Sequence, residues 1–271
     1  MITVIFERWD YLIMRDFFLW LFMEREEPFD ITLFSFWHIF YALLIIAATI
    51  ALGVYLSKKD SATQEKYRRA LAYSIVFIYI IDFFIQPFFL DGQMNVDKLP
   101  FHICTVLAPT IAFVQFNKRF EKIGEPIAAL AIASAIMYIT YPGSAIGTES
   151  PFCYRVIQTF LFHGVTMAWG YISLSTGAIK LNIKKCYKAL IVICIIALWA
   201  AFGNSAYSSE STHYDWFFIT GSTFPFIPAA LMPLCAISAV FAVVMGIYGL
   251  YYLVMHFVNK RAAEEKEEVN V

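Results

Sequence analysis

The sequence predicts an all-α fold: a polytopic transmembrane helix bundle of about seven spans, with an N-terminal interfacial amphipathic helix. Three observations predict it. Hydrophobic residues make up 60% of the 271 residues and charged residues 15%, whereas a soluble domain carries roughly 45–50% apolar and 25% charged residues. Several stretches hold about the 20 mainly apolar residues that a helix needs to cross a hydrocarbon core. Lys and Arg are also unevenly distributed, collecting in every second loop as cytoplasmic loops do.

The elements follow in order. Val4–Met23 is apolar but carries Glu7, Arg8, Asp10, Arg15 and Asp16. Five charges suit a helix lying in the interface, and residues 1–30 are assigned to it. An eighth span there would leave the loop pattern intact and put both termini inside. Each central charge, however, costs about 2.5–3.5 kcal/mol on insertion scales. The predicted spans are Leu33–Leu56, Ala70–Leu90, Leu99–Asn117, Ile123–Tyr141, Tyr154–Gly177, Cys186–Asn204 and Pro228–Val258. They form a transmembrane domain over 31–259. Pro225, Pro228 and Pro233 crowd the start of the last span and predict a broken beginning. Residues 260–271 form a charged tail, whose Ala262–Val271 stretch has the composition of a disordered segment.

Orientation follows from Lys and Arg. The loop after the first span holds Lys58, Lys59, Lys66, Arg68 and Arg69; that after the third holds Lys118, Arg119 and Lys122. That after the fifth has Lys180, Lys184 and Lys185, and the tail has Lys260, Arg261 and Lys266. The other loops hold only Lys98 and Arg155. The pattern predicts a multi-pass protein of the cell membrane with its N-terminus outside and its C-terminus in the cytoplasm. No cleaved signal peptide is expected. The net charge of −1 makes no case for a nucleic-acid partner, and none is expected. The five cysteines show no CxxC or finger spacing, so no metal site is expected.

Ionisable residues inside spans are costly and mark function. Asp82 and Gln86 lie four apart on one face of the second span. His102 and Cys104 open the third, just after Pro100. Arg155, Thr159 and His163 form one stripe of the fifth, and Asn204 ends the sixth. His213 and Asp215 follow in the next outer loop. Together they predict a polar cavity opening outward, with Asp82, Gln86, Arg155, Thr159 and Asn204 as candidate substrate contacts. Each has a plainer alternative: an interhelical pair for Asp82 and Gln86, headgroup snorkelling for Arg155, and solvation for His213 and Asp215. His38 and His256 read as structural, and Gly246, Gly249 and the alanines of Ala128–Ala135 as close helix contacts.

Cys104 lies about one turn into its predicted helix. A histidine within hydrogen-bond reach would activate the thiol by taking its proton, and His163 is the candidate. Spacing does not show that they meet. From the 1.5 Å rise per residue, Cys104 lies about 6 Å and His163 about 14 Å below their span starts, a mismatch of roughly 8 Å. The alternatives are a buried thiol beside a structural histidine, or a Cys104–Cys153 disulfide.

The run Leu99-Pro100-Phe101-His102-Ile103-Cys104, followed by Leu161-Phe162-His163-Gly164, resembles the YwaF family of bacterial integral membrane proteins. Its animal relatives are described as transmembrane acyltransferases acting on ether phospholipids. The resemblance covers roughly residues 33–258. It implies Cys104 as nucleophile, His163 as base and His102 as a third site residue. The Asn-Tyr-containing outer segment usual after the sixth span is represented here only by Asn204, Tyr207 and the Gly221–Pro225 stretch. The function expected is a membrane acyltransferase moving an acyl chain between lipids through a Cys thioester. Membrane lipids would be its substrates, and no cofactor would be required. The alternatives are an outward-opening carrier or receptor for a small solute, or an assembly protein in which no cavity residue matters individually.

Overall fold

The computed structural model describes residues 31–89, 96–143, 145–146, 150–209, 211–220 and 226–269. The interfacial helix expected within residues 1–30 lies outside them, as do the Gly221–Pro225 stretch and the Gln86 side chain. Among the described residues are seven α-helices: α1 (Phe36–Ser57), α2 (Ser61–Phe89), α3 (Ile103–Phe116), α4 (Gly124–Thr140), α5 (Tyr154–Ser175), α6 (Tyr187–Tyr207) and α7 (Met232–Val269). Short 3₁₀ turns precede α3, α4, α6 and α7, and another, Trp216–Phe218, lies between α6 and α7. No strand occurs among the described residues.

Four helical segments, Phe36–Ser57, Lys118–Thr140, Ile183–Tyr207 and Ala229–Arg261, are long and apolar enough to cross a membrane by length and composition alone. These contain α1, α4, α6 and most of α7. Of the other three predicted spans, α3 and α5 fall short by that measure, each for its own reason. α2 begins nine residues before its predicted start and takes in Glu65, Lys66, Arg68 and Arg69, ahead of the apolar stretch from Ala70 in which Asp82 is the one charge. α3 has only 14 residues. α5 carries buried Gln158, Thr159, His163, Thr166 and Ser173. A helix wrapped by other helices has little lipid to satisfy. α5 packs against α1, α2 and α4, and α3 against α2 and α4.

The bundle is built around α4 and α5. Ala128, Ala129, Leu130, Ala131, Ala133 and Ala135 are fully buried, so α4 is apolar on every side because helices surround it. Its small residues admit a close crossing: a Cβ on Gly170 of α5 would stand 2.8 Å from the Ala128 carbonyl oxygen. The predicted role of Ala128–Ala135 as close contacts therefore holds. That of Gly246 and Gly249 does not, since a Cβ at either meets nothing within 4 Å. α1 and α7 are peripheral and present Leu43, Ile50, Val54, Leu250, Leu253 and Phe257 outward.

Other boundaries moved for identifiable reasons. α7 follows a 3₁₀ turn at Ala229–Leu231 and then runs to Val269, through the tail predicted to be disordered. Asp60 starts α2 by accepting from the Thr63 backbone N–H at 2.9 Å and from the Thr63 hydroxyl at 2.8 Å. His38 donates from Nε2 to the Ile139 carbonyl at 2.7 Å and accepts at Nδ1 from the Phe34 N–H at 3.0 Å. It thus ties α1 to the end of α4, a structural histidine as expected. At the basic-loop end, Glu65 binds Arg68, Arg69 and Gln115, and Gln115 accepts from the Trp169 indole at 2.9 Å. This polar chain joins α2, α3 and α5.

Candidate functional site

At the bundle end opposite the basic loops, residues 96–102 ahead of α3 fold inward onto the core. On α2 the buried stripe Ala72, Ile75, Tyr79 and Asp82 follows helical spacing, while Tyr73, Phe77, Ile80 and Phe84 face outward. Tyr79 and Asp82, about one turn apart, grip Lys98 at two points. The Tyr79 hydroxyl donates to the Lys98 carbonyl at 2.9 Å. The Lys98 ammonium lies 2.6 Å from Asp82 Oδ2. Both side chains are largely buried, at 19% and 9% exposure, and a mid-bundle carboxylate requires such a partner. The sequence signals this pair only faintly: Lys98 is one of two cations in otherwise cation-free loops.

From Lys98 to His102 most carbonyls of the motif are pinned. The Leu99 carbonyl accepts from the Thr105 hydroxyl and the Phe101 N–H, at 3.2 and 2.7 Å. The Pro100 carbonyl accepts from the Trp199 indole at 2.7 Å. The His102 carbonyl accepts from the Val106 N–H at 3.0 Å and the Thr105 hydroxyl at 3.1 Å. Phe101 is buried with ring centroids 4.8 Å from Trp216 and 5.1 Å from Trp199. It fits because position 203 is glycine; a Cβ there would come within 2.5 Å of the ring. The motif is therefore an anchored backbone that presents His102 at the N-cap of α3 and Cys104 in its first turn.

This folding lowers Cys104. α3 starts at Ile103, four residues later than predicted, and its 14 residues span about 21 Å of a core about 30 Å thick. Its far end reaches the basic loop at Lys118, so its start lies roughly 9 Å below the opposite boundary. Cys104, one residue further in, then lies roughly 10 Å below that boundary against about 14 Å for His163, which halves the mismatch of about 8 Å that the spans imply. His102 acts electrostatically on His163, and the Lys98 charge acts on Cys104, His102 and His163. Cys104 and Cys153 are not joined in a disulfide. Cys153 packs in a separate cluster with Val156 and Phe160.

His163 is buried and held in one tautomer. Its Nδ1 lies 2.8 Å from the Thr159 carbonyl, which can only accept, so Nδ1 bears the hydrogen. Nε2 of the neutral ring then carries the basic lone pair. The ring stacks on Tyr138 at 3.8 Å between centroids and 5° between planes, which fixes its orientation. Tyr138 is a residue that the sequence reading missed.

The remaining candidates divide. Asp82 joins the cluster through Lys98. Arg155 is half-buried one residue into α5, and its carbonyl accepts from the Thr159 hydroxyl at 2.7 Å. That hydroxyl is thus engaged with its own helix rather than directed at a ligand. Asn204 donates to the Trp216 carbonyl at 3.1 Å and accepts from the Trp216 N–H at 2.8 Å. Both ends of its amide hold the outer segment, where the sequence suggested a substrate contact. Phe217 and Phe218 there have φ of 66° and 55°, conformations that cost about 1–3 kcal/mol each. The Asn204 clamp sustains them and sets Phe218 5.9 Å from the His102 ring. Asp215 accepts from the Thr220 N–H at 2.8 Å and acts electrostatically on His102.

A family comparison matches residues 33–259 to the TMEM164 family. The matched range holds all seven predicted spans. Comparison with curated proteins and with solved structures finds no match.

Proposed function

The chain belongs to the TMEM164 family of membrane proteins, and on that premise we propose that it is an acyltransferase moving an acyl chain between membrane lipids through a thioester at Cys104. The observation that carries this is the tautomer of His163, which leaves a basic Nε2 on a buried ring; the Lys98 charge acts on that ring and on Cys104 alike. The motifs Leu99–Cys104 and Leu161–Gly164 add support through their likeness to the YwaF family and its animal ether-phospholipid acyltransferase relatives. The alternation of basic loops puts the site on the outer side of the cell membrane, with the C-terminus in the cytoplasm.

The chemistry divides one difficult transfer into two steps. His163 Nε2 takes the Cys104 proton, and the thiolate attacks a lipid ester carbonyl. The tetrahedral oxyanion collapses, the carbon–oxygen bond breaks, and the departing alkoxide takes the proton from His163 to leave a lysolipid. An acceptor hydroxyl then gives its proton to His163 as its oxygen attacks the thioester. Collapse expels the Cys104 thiolate, which recovers the proton. His102, at the mouth of α3, is placed to donate to the oxyanion. Arg155 lies at the outer end of α5, where a headgroup phosphate would rest.

Purified protein given labelled phospholipid acquires a hydroxylamine-sensitive acyl label, absent in Cys104→Ala and reduced in His163→Ala. If Cys104→Ala labels and turns over as the wild type does, the acyltransferase mechanism falls and a carrier for a small solute takes its place.

A further inference from the structure

The Asp82–Lys98 pair has a second feature besides its burial, which is its place beside the first turn of α3. Asp82 lies on α2 and acts on Tyr79 and Tyr154. The Thr105 hydroxyl, bound to the Leu99 carbonyl at 3.2 Å, folds the residue after Lys98 back beside the first turn of α3, and the Lys98 charge acts on Cys104, His102 and His163. Lys98 is also held twice over, by its carbonyl to the Tyr79 hydroxyl and by its ammonium to Asp82. A flexible surface lysine is seldom fixed this way. An ammonium has three donors, and among the described residues its ion pair is with Asp82 Oδ2.

We propose that Asp82 is a positioning residue that holds Lys98 so that its ammonium stabilises negative charge on the Cys104 sulfur and on the oxygen of an attacked ester. This rests on the acyl-transfer function above and adds the element that the Cys/His pair lacks. A thiolate and an oxyanion form in turn in a largely water-free site, and both are single negative charges. A fixed cation there acts at low dielectric and needs no reorganisation as charge develops. The titratable and charged groups around this pair are Tyr79 and Asp82 on α2, His102 at the N-cap of α3, Tyr154 and His163 on α5, Asp215 after α6 and Lys98 itself, of which Tyr79 and Lys98 act on Cys104. Of these, Lys98 is the permanent cation.

The test compares two alkylating reagents of similar size and opposite electrostatics, in a variant whose other cysteines are alanine. Iodoacetate and iodoacetamide both require the thiolate, so their rate ratio cancels its abundance and reads the local field. Relative to a small free thiol, the ratio at Cys104 favours iodoacetate by about threefold or more. Lys98→Met abolishes the preference and Lys98→Arg restores it. The double variant Asp82→Asn/Lys98→Met removes both charges together, so the result stands even if the single variant fails to fold. A merely structural role would change both rates alike and leave the ratio intact. A wild-type ratio no higher than that of the free thiol, or a preference that survives loss of Lys98, overturns the proposal. The hydroxylamine-sensitive label is scored separately. Its absence with the ratio preserved removes the acyl-transfer function and leaves the charge-stabilising role standing.

Discussion

Phe101 and Gly203 show how one contact supports a reactive residue some distance away. The Phe101 ring is enclosed by Trp199, Trp216 and Tyr207 and cannot swing aside for an added methyl. Gly203→Ala therefore overpacks this site, at a cost of about 1–3 kcal/mol. It should lower the melting temperature in detergent and slow alkylation of Cys104, while a Gly246→Ala control, at a position open to its surroundings, changes neither. An unaltered melting temperature in Gly203→Ala would show that the aromatic cage is looser than described. At this scale the sequence was partly legible. Asp82, His102, Cys104 and His163 stood out because ionisable or nucleophilic groups are rare among apolar neighbours. Tyr138, Tyr79 and Trp199 did not, since aromatic residues abound here and only tertiary contacts distinguish the ones that stack or donate. Asn204 was noticed for the right reason, a polar amide at a span end, yet its partner Trp216 lies twelve residues on, in a segment without periodicity.

Helices whose ends are set by local chemistry were easier to place than those set by packing. The α4 boundaries differ from prediction by a residue, because Gly124 and Tyr141 bracket an unbroken apolar run. α2 starts early because Asp60 caps it. Bonds from the Thr63 backbone and hydroxyl hold the Asp60 carboxyl below its ordinary value. A depressed carboxylate stabilises the fold above its unfolded pKa, and that contribution is lost as pH falls through the folded value. The first turn of α2 should accordingly exchange its amide hydrogens faster in acid. In Asp60→Asn, whose side-chain oxygen still accepts from Thr63, the acid-dependent increase should vanish; if it persists, the cap is not its source. α3 shows the opposite case. Apolar length suggested a start at Leu99, but that segment is instead held by Tyr79, Thr105 and Trp199. Two of these partners are distant in sequence, so the depth of Cys104 could not be read from spacing.

For the whole molecule, the arrangement to test is its orientation. Replacing Glu210 and Lys266 with cysteine in a background lacking native cysteines should give labelling by an impermeant maleimide from opposite sides of the membrane, with residue 210 outside. Labelling of both from one side would refute the topology. Seven helices were legible from apolar length, and the central position of α4 and α5 was hinted at by the alanine run. That α3 and α5 do not meet the apolar requirement by themselves was obscured, because α3 gives up its first four predicted residues to the anchored segment and α5 mixes Gln158, His163 and small polar residues among its apolar ones. This last feature bears on how the protein is made. A translocon releases segments to lipid according to their own partitioning, and α5 emerges carrying Arg155, Gln158 and His163. It has to be retained until α4, whose Ala128 backbone receives Gly170, covers its polar side. Biogenesis should therefore proceed by helical pairs rather than single spans, and the polar groups buried within the bundle make the nascent chain dependent on its neighbours to enter the bilayer.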